Sequence, residues 1–462
     1  MSERRSEATH AARGSSHHGG GDVTEPRRVA AEVCADLRRG ELLDPVFELR
    51  VGLLDARDRR WTQELVYGML RRRSVLDAHL SGRVRGGLAR LDPDLIDLLR
   101  LGIYQLVHMR SVPPYAAIAQ TVELAKERHG IGASKLVNAV LRRLDRERGD
   151  LDLCLGGDPI DRLATMYSHP RWMVARWVAR WGAEDTERLL AANNTEAPVV
   201  LRPYGTVSEQ LEAMLESAGV DILEVPLVRD SIELRSGVSL TELGAYRQGL
   251  FFVQDPGSTL VARYASVPAG AVVADLCAAP GGKALELSRG AQGSSPGLVL
   301  AGDRSLTRVR RLVSNLQRVD ACSVRVFVGD ARRPPLRPVA AVLIDVPCTG
   351  TGTFRRHPDA RWRLKVSDLA VMAALQRSIL DGAAAVVQPG GLLVYSTCSL
   401  EPEENDVQIE SFLAERPEWQ LEPPPEGAVP PAVLDAGRLR VLPQRHGVDG
   451  VFAARLRKGA AS

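Results

Sequence analysis

The sequence predicts a multidomain protein in which an all-α N-terminal domain and a small α+β linker module precede a C-terminal α/β domain with a Rossmann-like sheet. Three observations predict this order. Apolar residues recur at helical spacing from about residue 25, short β-rich runs begin near residue 198, and strands alternate with helices after residue 275. At 462 residues the chain is also too long for one ordinary domain.

The composition is that of a globular protein without membrane spans. Hydrophobic residues make up 45% and charged residues 25% of the chain, and it contains no apolar run of about 18 residues. Because the N-terminus lacks an apolar signal core, we expect a cytoplasmic protein with no membrane partner. The net charge of +3 is too small to indicate nucleic-acid binding by itself.

The six cysteines are scattered and include no C-x-x-C pair. This pattern fits neither a disulfide framework nor a zinc site, so we expect no bound metal. Three of them, Cys34, Cys154 and Cys322, are interpreted as small hydrophobes in the core, which is the usual role of an isolated cysteine.

Residues 1–24 consist largely of Ser, Gly, Arg and His. We expect a disordered tail here, because such a segment buries too little apolar surface to offset the entropy lost on ordering. His17 and His18 are too isolated within it to form a metal site.

Residues 25–150 are expected to form the helical domain. Val29 and Val33 recur at the spacing that one buried helix face requires. Asp92 is a predicted N-cap, followed by Pro93 at the first helical position. Together these signals predict a compact helical bundle.

Three motifs in this helical region resemble the NusB-type RNA-binding domain. They are residues 58–68 (DRRWTQELVYG), 99–106 (LRLGIYQL) and 137–143 (VNAVLRR). The resemblance implies that arginines of this region contact RNA phosphates, since phosphate contacts supply most sequence-independent affinity for nucleic acids. The arginines predicted to do so are Arg57, Arg59, Arg60, Arg71, Arg72, Arg73, Arg142 and Arg143.

Residues 151–197 are expected to form a helical connector. Within it, Met173, Trp177 and Trp181 share one helix face, which we interpret as a strut packed between domains. Residues 198–250 are expected to form the small α+β module, and nothing in them identifies a ligand.

Residues 251–460 are expected to form the α/β domain, which is organised around residues 275–283 (DLCAAPGGK). A β-rich run precedes this stretch and a helical run follows it. Its glycines therefore form a tight turn at a helix N-terminus, a general site for a polar or anionic cofactor. The stretch is not a G-x-G-x-x-G fingerprint, and Lys283 lacks the flanking residues of a P-loop. The turn alone predicts a nucleotide-like ligand without identifying it.

Four predicted strands end at an aspartate: Asp275, Asp303, Asp330 and Asp345. Ligands of open α/β sheets lie beyond the carboxyl ends of the strands, so the carboxylates should share one crevice with the glycine turn. Asp303 suits ribose hydroxyls and Asp330 suits an adenine amino group. Because no magnesium motif accompanies them, S-adenosylmethionine fits this crevice better than ATP. The predicted cofactor-binding residues are Cys277, Ala278, Ala279, Pro280, Gly281, Gly282, Lys283, Asp303, Asp330 and Asp345.

Two cysteines, Cys348 and Cys398, follow strands at the same edge of the predicted sheet. Thiols beside S-adenosylmethionine suit methylation of cytosine, since a thiolate that adds to carbon 6 makes carbon 5 nucleophilic. The reaction needs a nucleophile, an acidic group hydrogen-bonded to the ring, and a base that removes the carbon-5 proton. Cys398, Asp345 and Cys348 are available for these roles, and residue chemistry alone does not rank the two thiols.

Four ordered motifs in this domain resemble the RsmB/Sun family of RNA cytosine-5 methyltransferases. They are residues 254–258 (QDPGS), 275–283 (DLCAAPGGK), 345–348 (DVPC) and 395–399 (YSTCS). The resemblance implies a class I methyltransferase fold, with Cys398 as the nucleophile and Cys348 as the residue that aids release. A DNA cytosine-5 methyltransferase would instead use the cysteine of a Pro-Cys motif, which here is Cys348.

The resemblance implies 16S ribosomal RNA as the substrate. Two alternatives stay open: a transfer RNA cytosine-5 methyltransferase, and a non-catalytic RNA-binding adaptor of the antitermination type. The intact cysteine pair argues against the adaptor. RNA is the expected partner in each case, and the oligomeric state is left open, with a monomer expected.

A basic segment follows the Pro-Cys motif. We predict that it contacts RNA phosphates, with an aromatic side chain stacking on a base. The residues concerned are Arg355, Arg356, His357, Pro358, Arg361, Trp362 and Arg363.

Overall fold

The computed structural model describes residues 23–148, 157–235, 237–289 and 297–460. The tail expected over residues 1–24, with His17 and His18, lies outside the described residues apart from Val23 and Thr24. Val23 is buried, and the Thr24 backbone N–H donates to Gln120 Oε1 at 2.7 Å. Within the described ranges, none of the helices combines the length and the apolar character needed to cross a lipid bilayer.

The chain divides into two compact units, residues 1–155 and 156–462. The described part of the first unit is helical, as the sequence predicts. Its helices are α1 Glu25–Arg38, α2 Leu43–Arg50, α3 Ala56–Arg71, α4 Arg73–Ser81, α5 Pro93–His108 and α6 Pro114–Arg146.

Local sequence signals determine several helix boundaries in this unit. Asp92 caps α5 by accepting a hydrogen bond from the Asp94 backbone N–H at 2.8 Å, with Pro93 at the first helical position. Gly130 interrupts α6 with a φ of +82°, a conformation that favours glycine. The predicted cap at Asp92 therefore begins a helix, and Gly130 marks a break within the next one.

Helices α3 and α5 approach closely because Gly68 has no side chain. A Cβ at Gly68 would lie 1.8 Å from the Tyr104 hydroxyl oxygen. Gly102 has the same role between α5 and α6, since a Cβ there would lie 2.8 Å from Leu141 Cδ1. These glycines belong to the motifs at residues 58–68 and 99–106, so the motifs specify helix packing as well as exposed charge.

The second unit begins with helices α7 Pro159–Met166 and α8 Arg171–Asn193. Met173 and Trp177 of α8 are buried in a cluster with Leu400 and Leu442. Trp177 Nε1 also donates a hydrogen bond to Glu401 at 3.0 Å. The helix interpreted as a strut therefore packs on the α/β domain.

A small antiparallel sheet follows. Its strands are β1 Val199–Pro203, β2 Ile222–Glu224, β3 Ile232–Leu234 and β4 Phe251–Val253, and helices α9 Ser208–Ser217 and α10 Gly244–Arg247 accompany them. The strand order is β2-β3-β1-β4, and each pairing is antiparallel. The last strand, β4, lies just past residue 250, the expected end of the module.

The described strands of the large sheet are β5 Val272–Asp275, β6 Leu298–Asp303, β7 Val324–Val328, β8 Val339–Asp345, β9 Val387–Thr397, β10 Trp419–Leu421, β11 Leu434–Asp435, β12 Arg438–Val441 and β13 Val451–Lys458. The helices around it are α11 Pro256–Ala265, α12 Gly282–Arg289, α13 Leu306–Arg318, α14 Ala360–Arg363, α15 Val366–Ala385, α16 Asp406–Glu415 and α17 Pro443–His446.

The large sheet is parallel in its centre and antiparallel at one side. Its order is β11-β12-β13-β9-β8-β5-β6-β7, with β10 paired to β13. The strands from β5 to β9 pair in parallel, as the strand–helix alternation predicts, whereas β13 is antiparallel to β9 and β12. The chain runs outward from β5 through β6 and β7, then crosses to the other side of β5 with β8. This reversal makes a topological switch point between β5 and β8, where ligands of α/β sheets bind.

Helices cover both faces of this sheet. Val273 of β5 packs in one apolar cluster with Leu285 of α12 and Leu312 of α13. Its neighbour Ala274 points to the opposite face and packs with Ile379 of α15. Because parallel strands are buried on both faces, they appear in the sequence as continuous apolar runs.

Candidate active site

The predicted aspartates lie at the carboxyl ends of neighbouring strands. Asp275, Asp303 and Asp345 are the last residues of β5, β6 and β8, and Asp330 follows the end of β7. Asp275 and Asp303 are buried, whereas Asp330 and Asp345 are partly exposed. The four carboxylates therefore lie at one edge of the sheet, around the switch point.

Two glycines shape the turn between β5 and α12. Gly281 has a φ of +117°, and a Cβ there would lie 2.7 Å from Leu312 Cδ1. A Cβ at Gly282 would lie 2.7 Å from Gln254 Nε2. The turn thus depends on glycine both for backbone conformation and for close packing.

Helix α13 holds the rest of the turn in place. The Ala279 carbonyl oxygen accepts a hydrogen bond from Arg308 Nη2 at 2.6 Å, and the Pro280 carbonyl oxygen accepts one from Asn315 Nδ2 at 2.9 Å. The Ala279–Pro280 peptide bond is cis. These contacts leave the turn with a defined shape beside the strand ends.

A cavity of about 470 Å³ opens at this edge of the sheet. That volume is typical of small-molecule sites, which span roughly 300–1,000 Å³. The predicted site residues in its wall are Cys277, Asp303, Asp330, Asp345, Cys348 and Cys398. The other predicted cofactor-binding residues belong to the adjoining turn and not to the wall: Ala278, Ala279, Pro280, Gly281, Gly282 and Lys283.

Several wall residues carry no functional signal in the sequence. Leu375 and Ile379 lie one turn apart on α15, and their sequence context is that of ordinary core positions in an apolar helix. Arg304 and Arg308 have the sequence context of solvated charges. Only the packing of α13 and α15 around the strand ends brings these side chains to the cavity.

Asp303 presents a buried acceptor to the cavity. Its Oδ1 accepts from the Ser305 backbone N–H at 2.9 Å, but its Oδ2 has no hydrogen-bond partner among the described residues. Arg308 Nη1 lies 3.2 Å from that Oδ2 as an ion pair, outside hydrogen-bond geometry. A ligand that brings hydroxyl donors would satisfy this oxygen. The ribose of S-adenosylmethionine supplies such donors, so the residues present fit that cofactor.

The carboxylate of Asp330 already accepts hydrogen bonds from the side chain of Arg332, two positions along the chain. Hydrogen bonds from the Arg332 guanidinium lower the pKa of Asp330 to about 2, and both carboxylate oxygens lie 3.0 Å from Arg332 Nε. An adenine amino group would share this carboxylate with Arg332.

Asp345 lies in a chain of polar contacts that starts at the glycine turn. Lys283 Nζ donates to Asp345 Oδ2 at 2.8 Å, and Ser396 Oγ donates to Asp345 Oδ1 at 2.8 Å. Burial acts to lower the pKa of Lys283, but Asp345 and Asp275 outweigh it and raise that pKa above its ordinary value. Lys283 therefore stays protonated, and its charge interacts with Cys398.

Cys348 and Cys398 are in contact. Their Sγ atoms lie 3.3 Å apart, although 50 positions separate the two residues in the chain. The hydrogen bond with Cys398, together with burial, raises the pKa of Cys348 well above its usual value. Cys348 thus keeps its proton in this arrangement.

The remaining cysteines have different environments. Cys34 is buried, as predicted. Cys322 is exposed, with its Sγ 3.3 Å from Asp320 Oδ1, so its assignment to the core is wrong. Burial raises the pKa of the Cys277 thiol, which leaves this residue unreactive in the turn. Cys154 lies outside the described residues.

The RNA contact predicted for Arg355 is wrong, whereas that of Arg356 stays a prediction. Both guanidinium groups pair with Asp255 and with Asp449, and the Arg355 side chain is only 6% exposed. Asp255 belongs to the motif at residues 254–258 and Asp449 precedes β13. The arginines therefore join distant segments of the domain around the Pro-Cys loop.

The prediction is also wrong for Arg361. Its side chain is fully buried, and its Nη2 donates to the carbonyl oxygens of Asn193 and Phe354 at 2.9 and 3.2 Å. Arg363 keeps a side chain that is 40% exposed and pairs with Asp359 at 3.0 Å. Within this basic segment Arg355 and Arg361 are buried and Arg363 is exposed, so the charge pattern alone did not predict exposure.

Family models match the chain in the order of its domains. Residues 24–146 match the NusB family, and residues 169–241 match the ferredoxin-like domain of RsmF/B-like methyltransferases. Residues 267–457 match the model of the 16S rRNA methyltransferases RsmB/F.

Curated relatives and a solved structure are similar over most of the chain. The probable ribosomal RNA small subunit methyltransferase B of Synechocystis sp. is 34% identical over 448 residues, covering 94% of this chain and 99% of the relative. The ribosomal RNA small subunit methyltransferase B of Vibrio cholerae is 35% identical over 412 residues, covering 87% and 90%. The crystal structure of PH0851 aligns with a TM-score of 0.78 at 26% identity, covering 94% of this chain and 99% of that chain.

Proposed function

Because the chain belongs to the ribosomal RNA small subunit methyltransferase B family, we propose that it methylates carbon 5 of a cytosine in 16S ribosomal RNA through a covalent bond from Cys398. Membership of that family makes it an S-adenosylmethionine-dependent ribosomal RNA methyltransferase. The cytosine chemistry is supported by one observation above all, the 3.3 Å contact between Cys348 and Cys398 in the cavity wall. A non-catalytic adaptor has no use for two thiols in this position.

S-adenosylmethionine supplies an electrophilic methyl group when bound. Asp303 would hold its ribose through the buried Oδ2, with Asp330 and the turn at Cys277 contacting the rest of the adenosine. These residues would orient the cofactor beside the two thiols, since Asp303, Asp330, Cys277 and both thiols line one cavity.

Cys398 is the proposed nucleophile. Its sulfur bonds to carbon 6 of the cytosine, and the electrons of the carbon 5–carbon 6 double bond move so that carbon 5 can take the methyl group. The negative charge that develops on the ring is stabilised by the protonated Lys283, while Asp345, which lies 2.8 Å from Lys283, is the group proposed to hydrogen-bond to the ring. Because the target carbons must reach the cavity wall, the cytosine has to leave its stack, which favours a single-stranded or mobile RNA site.

Cys348 is the proposed base for release. Its raised pKa keeps it protonated in the resting enzyme, where the hydrogen bond with Cys398 is the largest cause of the shift. Once the Cys398 sulfur is bonded to carbon 6, that hydrogen bond is lost and Cys348 gives up its proton to solvent more easily. It can then accept the carbon-5 proton, after which the carbon–sulfur bond breaks and Cys398 leaves as the thiolate.

The two thiols are distinguished by their variants. We expect Cys398→Ala to abolish methyl transfer, because no adduct forms. We expect Cys348→Ala to accumulate a covalent RNA–protein adduct, because methylation proceeds and release does not. Denaturing gel electrophoresis with labelled RNA detects the adduct. An adduct with Cys398→Ala instead would reverse the roles, as expected for an enzyme that attacks with the Pro-Cys cysteine.

The substrate is identified by separating RNA species after reaction with a labelled methyl donor. We expect label in 16S ribosomal RNA, and bisulfite sequencing of RNA from cells with and without the gene to show one or a few 5-methylcytosines lost with it. Label confined to transfer RNA would contradict the proposal.

A further inference from the structure

A buried carboxylate, that of Glu404, joins the two loops that carry the cysteines. Its Oε1 accepts a hydrogen bond from the Thr349 backbone N–H at 2.9 Å, and its Oε2 accepts hydrogen bonds from the hydroxyls of Thr349 and Ser399. Thr349 directly follows Cys348, and Ser399 directly follows Cys398. One side chain thus bridges the positions after both thiols.

Two further buried side chains hold the positions before the thiols. Gln376 Nε2 donates to the Pro347 carbonyl oxygen at 2.9 Å and to Glu404 Oε1 at 2.8 Å. Asn405 Oδ1 accepts from the Thr397 hydroxyl at 2.6 Å. We call Glu404, Gln376 and Asn405 the cysteine clamp, because together they fix the residue on each side of both cysteines.

The clamp residues are better suited to holding the two loops in position than to stabilising the fold. Glu404 is fully buried and forms no ion pair with any described residue, so hydrogen bonds alone compensate for the desolvation of its carboxylate. A well-packed apolar side chain would stabilise the fold without this cost, since a buried polar group that lacks some of its hydrogen bonds is strongly destabilising. None of the three clamp residues is part of the cavity wall. What the clamp secures is therefore the relative position of the two loops.

We propose that Glu404, with Gln376 and Asn405, is a positioning residue that keeps the sulfurs of Cys348 and Cys398 in contact. The proposal rests on the two-cysteine mechanism above, in which the nucleophile acts at carbon 6 and the base at the adjacent carbon 5. Two thiols can serve neighbouring ring atoms only if their separation is held constant through the reaction. The clamp supplies that constraint from outside the cavity.

Glu404→Gln tests the proposal with little change in volume. The carboxylate accepts hydrogen bonds from Thr349, Ser399 and Gln376 with two oxygens, whereas the amide has only one oxygen to accept them. Some of these hydrogen bonds are lost, so the two loops should separate. We expect kcat to fall by about 100-fold, the effect typical of small displacements of reacting groups. The KM for RNA and the affinity for S-adenosylmethionine should stay within about twofold, because no cavity contact changes.

Oxidative cross-linking measures the sulfur–sulfur contact without RNA or cofactor. Diamide takes two electrons and two protons from the thiols of Cys348 and Cys398 and leaves a disulfide, which peptide mass spectrometry identifies. The wild-type protein should cross-link readily, and Glu404→Gln should do so at least tenfold more slowly. Glu403→Gln is the matched control, since the neighbouring Glu403 is 39% exposed and pairs with Arg176. It should behave as wild type in both assays.

The outcomes separate the clamp from the mechanism it serves. Wild-type rates of cross-linking and turnover in Glu404→Gln would overturn the clamp. If that variant does not fold, Ser399→Ala removes one hydrogen bond to Glu404, together with the one that the hydroxyl accepts from the Glu401 backbone N–H. It should slow cross-linking about fivefold, the equivalent of about 1 kcal/mol. An unchanged rate in Ser399→Ala would overturn the clamp as well. Slow cross-linking in Glu404→Gln together with methylation by Cys398→Ala would leave the clamp standing and contradict the two-cysteine mechanism.

Discussion

Two aspartates at neighbouring strand ends differ in what surrounds their carboxylates. Asp345 has Lys283 and Ser396 as hydrogen-bond partners and is partly exposed. Asp275 is fully buried; its Oδ1 accepts from the Cys277 backbone N–H at 3.3 Å and its Oδ2 has no hydrogen-bond partner among the described residues. Burial raises the pKa of Asp275 to about 7, although Lys283 opposes the shift. The same residue type is thus proposed to bind the ring at one strand end and occupies a buried position with a raised pKa at the next.

The raised pKa of Asp275 predicts a pH dependence of stability. Unfolded Asp275 titrates near pH 4, so from pH 5 to 7 the folded state binds more protons than the unfolded state. The free energy of unfolding should therefore fall as pH rises through this window, by up to about 1.4 kcal/mol per pH unit relative to Asp275→Asn. Thermal unfolding of both proteins between pH 5 and 8 measures the difference.

A control variant distinguishes this effect from general titration. The pKa of Asp330 is lowered to about 2 by the Arg332 guanidinium, so Asp330 is ionised in both states throughout the window. Asp330→Asn should keep the wild-type slope, and a wild-type slope in Asp275→Asn would contradict the prediction.

At the scale of the elements, a buried ion pair joins the small sheet to the cofactor turn. Arg202 of β1 is completely buried, and its Nη2 donates to the two carboxylate oxygens of Glu286 at 2.8 and 3.0 Å. Glu286 lies on α12, the helix that begins at Gly282 in the turn. The pair therefore connects the position of the module to the helix that shapes the cofactor site.

We expect Arg202→Met to destabilise the protein by about 3 kcal/mol, because it leaves the buried Glu286 carboxylate without its main partner. Urea unfolding measures the loss. Arg263→Met is the matched control, since Arg263 contacts the same Glu286 at 3.3 Å but is 31% exposed. It should cost less than about 1 kcal/mol. Equal losses in the two variants would show that burial of the pair is unimportant.

At the scale of the whole molecule, most charge is neutralised internally. The net charge is only +3, and several arginines predicted to contact RNA are paired, including Arg59 with Glu48 and Arg143 with Glu147. Arg57 and Arg72 are exposed and form no ion pair with a described residue. Affinity for RNA should therefore depend on a few unpaired arginines and not on overall charge.

We expect the double variant Arg57→Ala/Arg72→Ala to bind RNA more weakly and with a shallower dependence on salt. Each phosphate contact removed should reduce the slope of log K against log salt concentration by about 0.7 to 0.9. Filter binding across a salt series measures this, and kcat at saturating RNA should not change. Arg143→Ala is the control, because its partner Glu147 already neutralises it; a larger effect there would contradict the assignment.

The sequence by itself determined the domain order, the helical bundle, the glycine turn and the aspartates at the strand ends. These are local features: periodicity reports which side of a helix or strand is buried, and a strand–turn–helix motif places its own residues. Cys348 and Cys398 were likewise assigned to one sheet edge because parallel strands carry their ends there.

Only the tertiary structure decided which charged loop residues are buried. Arg355 pairs with Asp449, which lies 94 positions further along the chain, and no periodicity in the sequence predicts that contact. The same holds for Glu404, whose role depends on two loops that meet only after the sheet has formed. Burial of a polar group in a loop is determined by partners remote in sequence, and these are specified by the packing of the whole domain and by no local pattern.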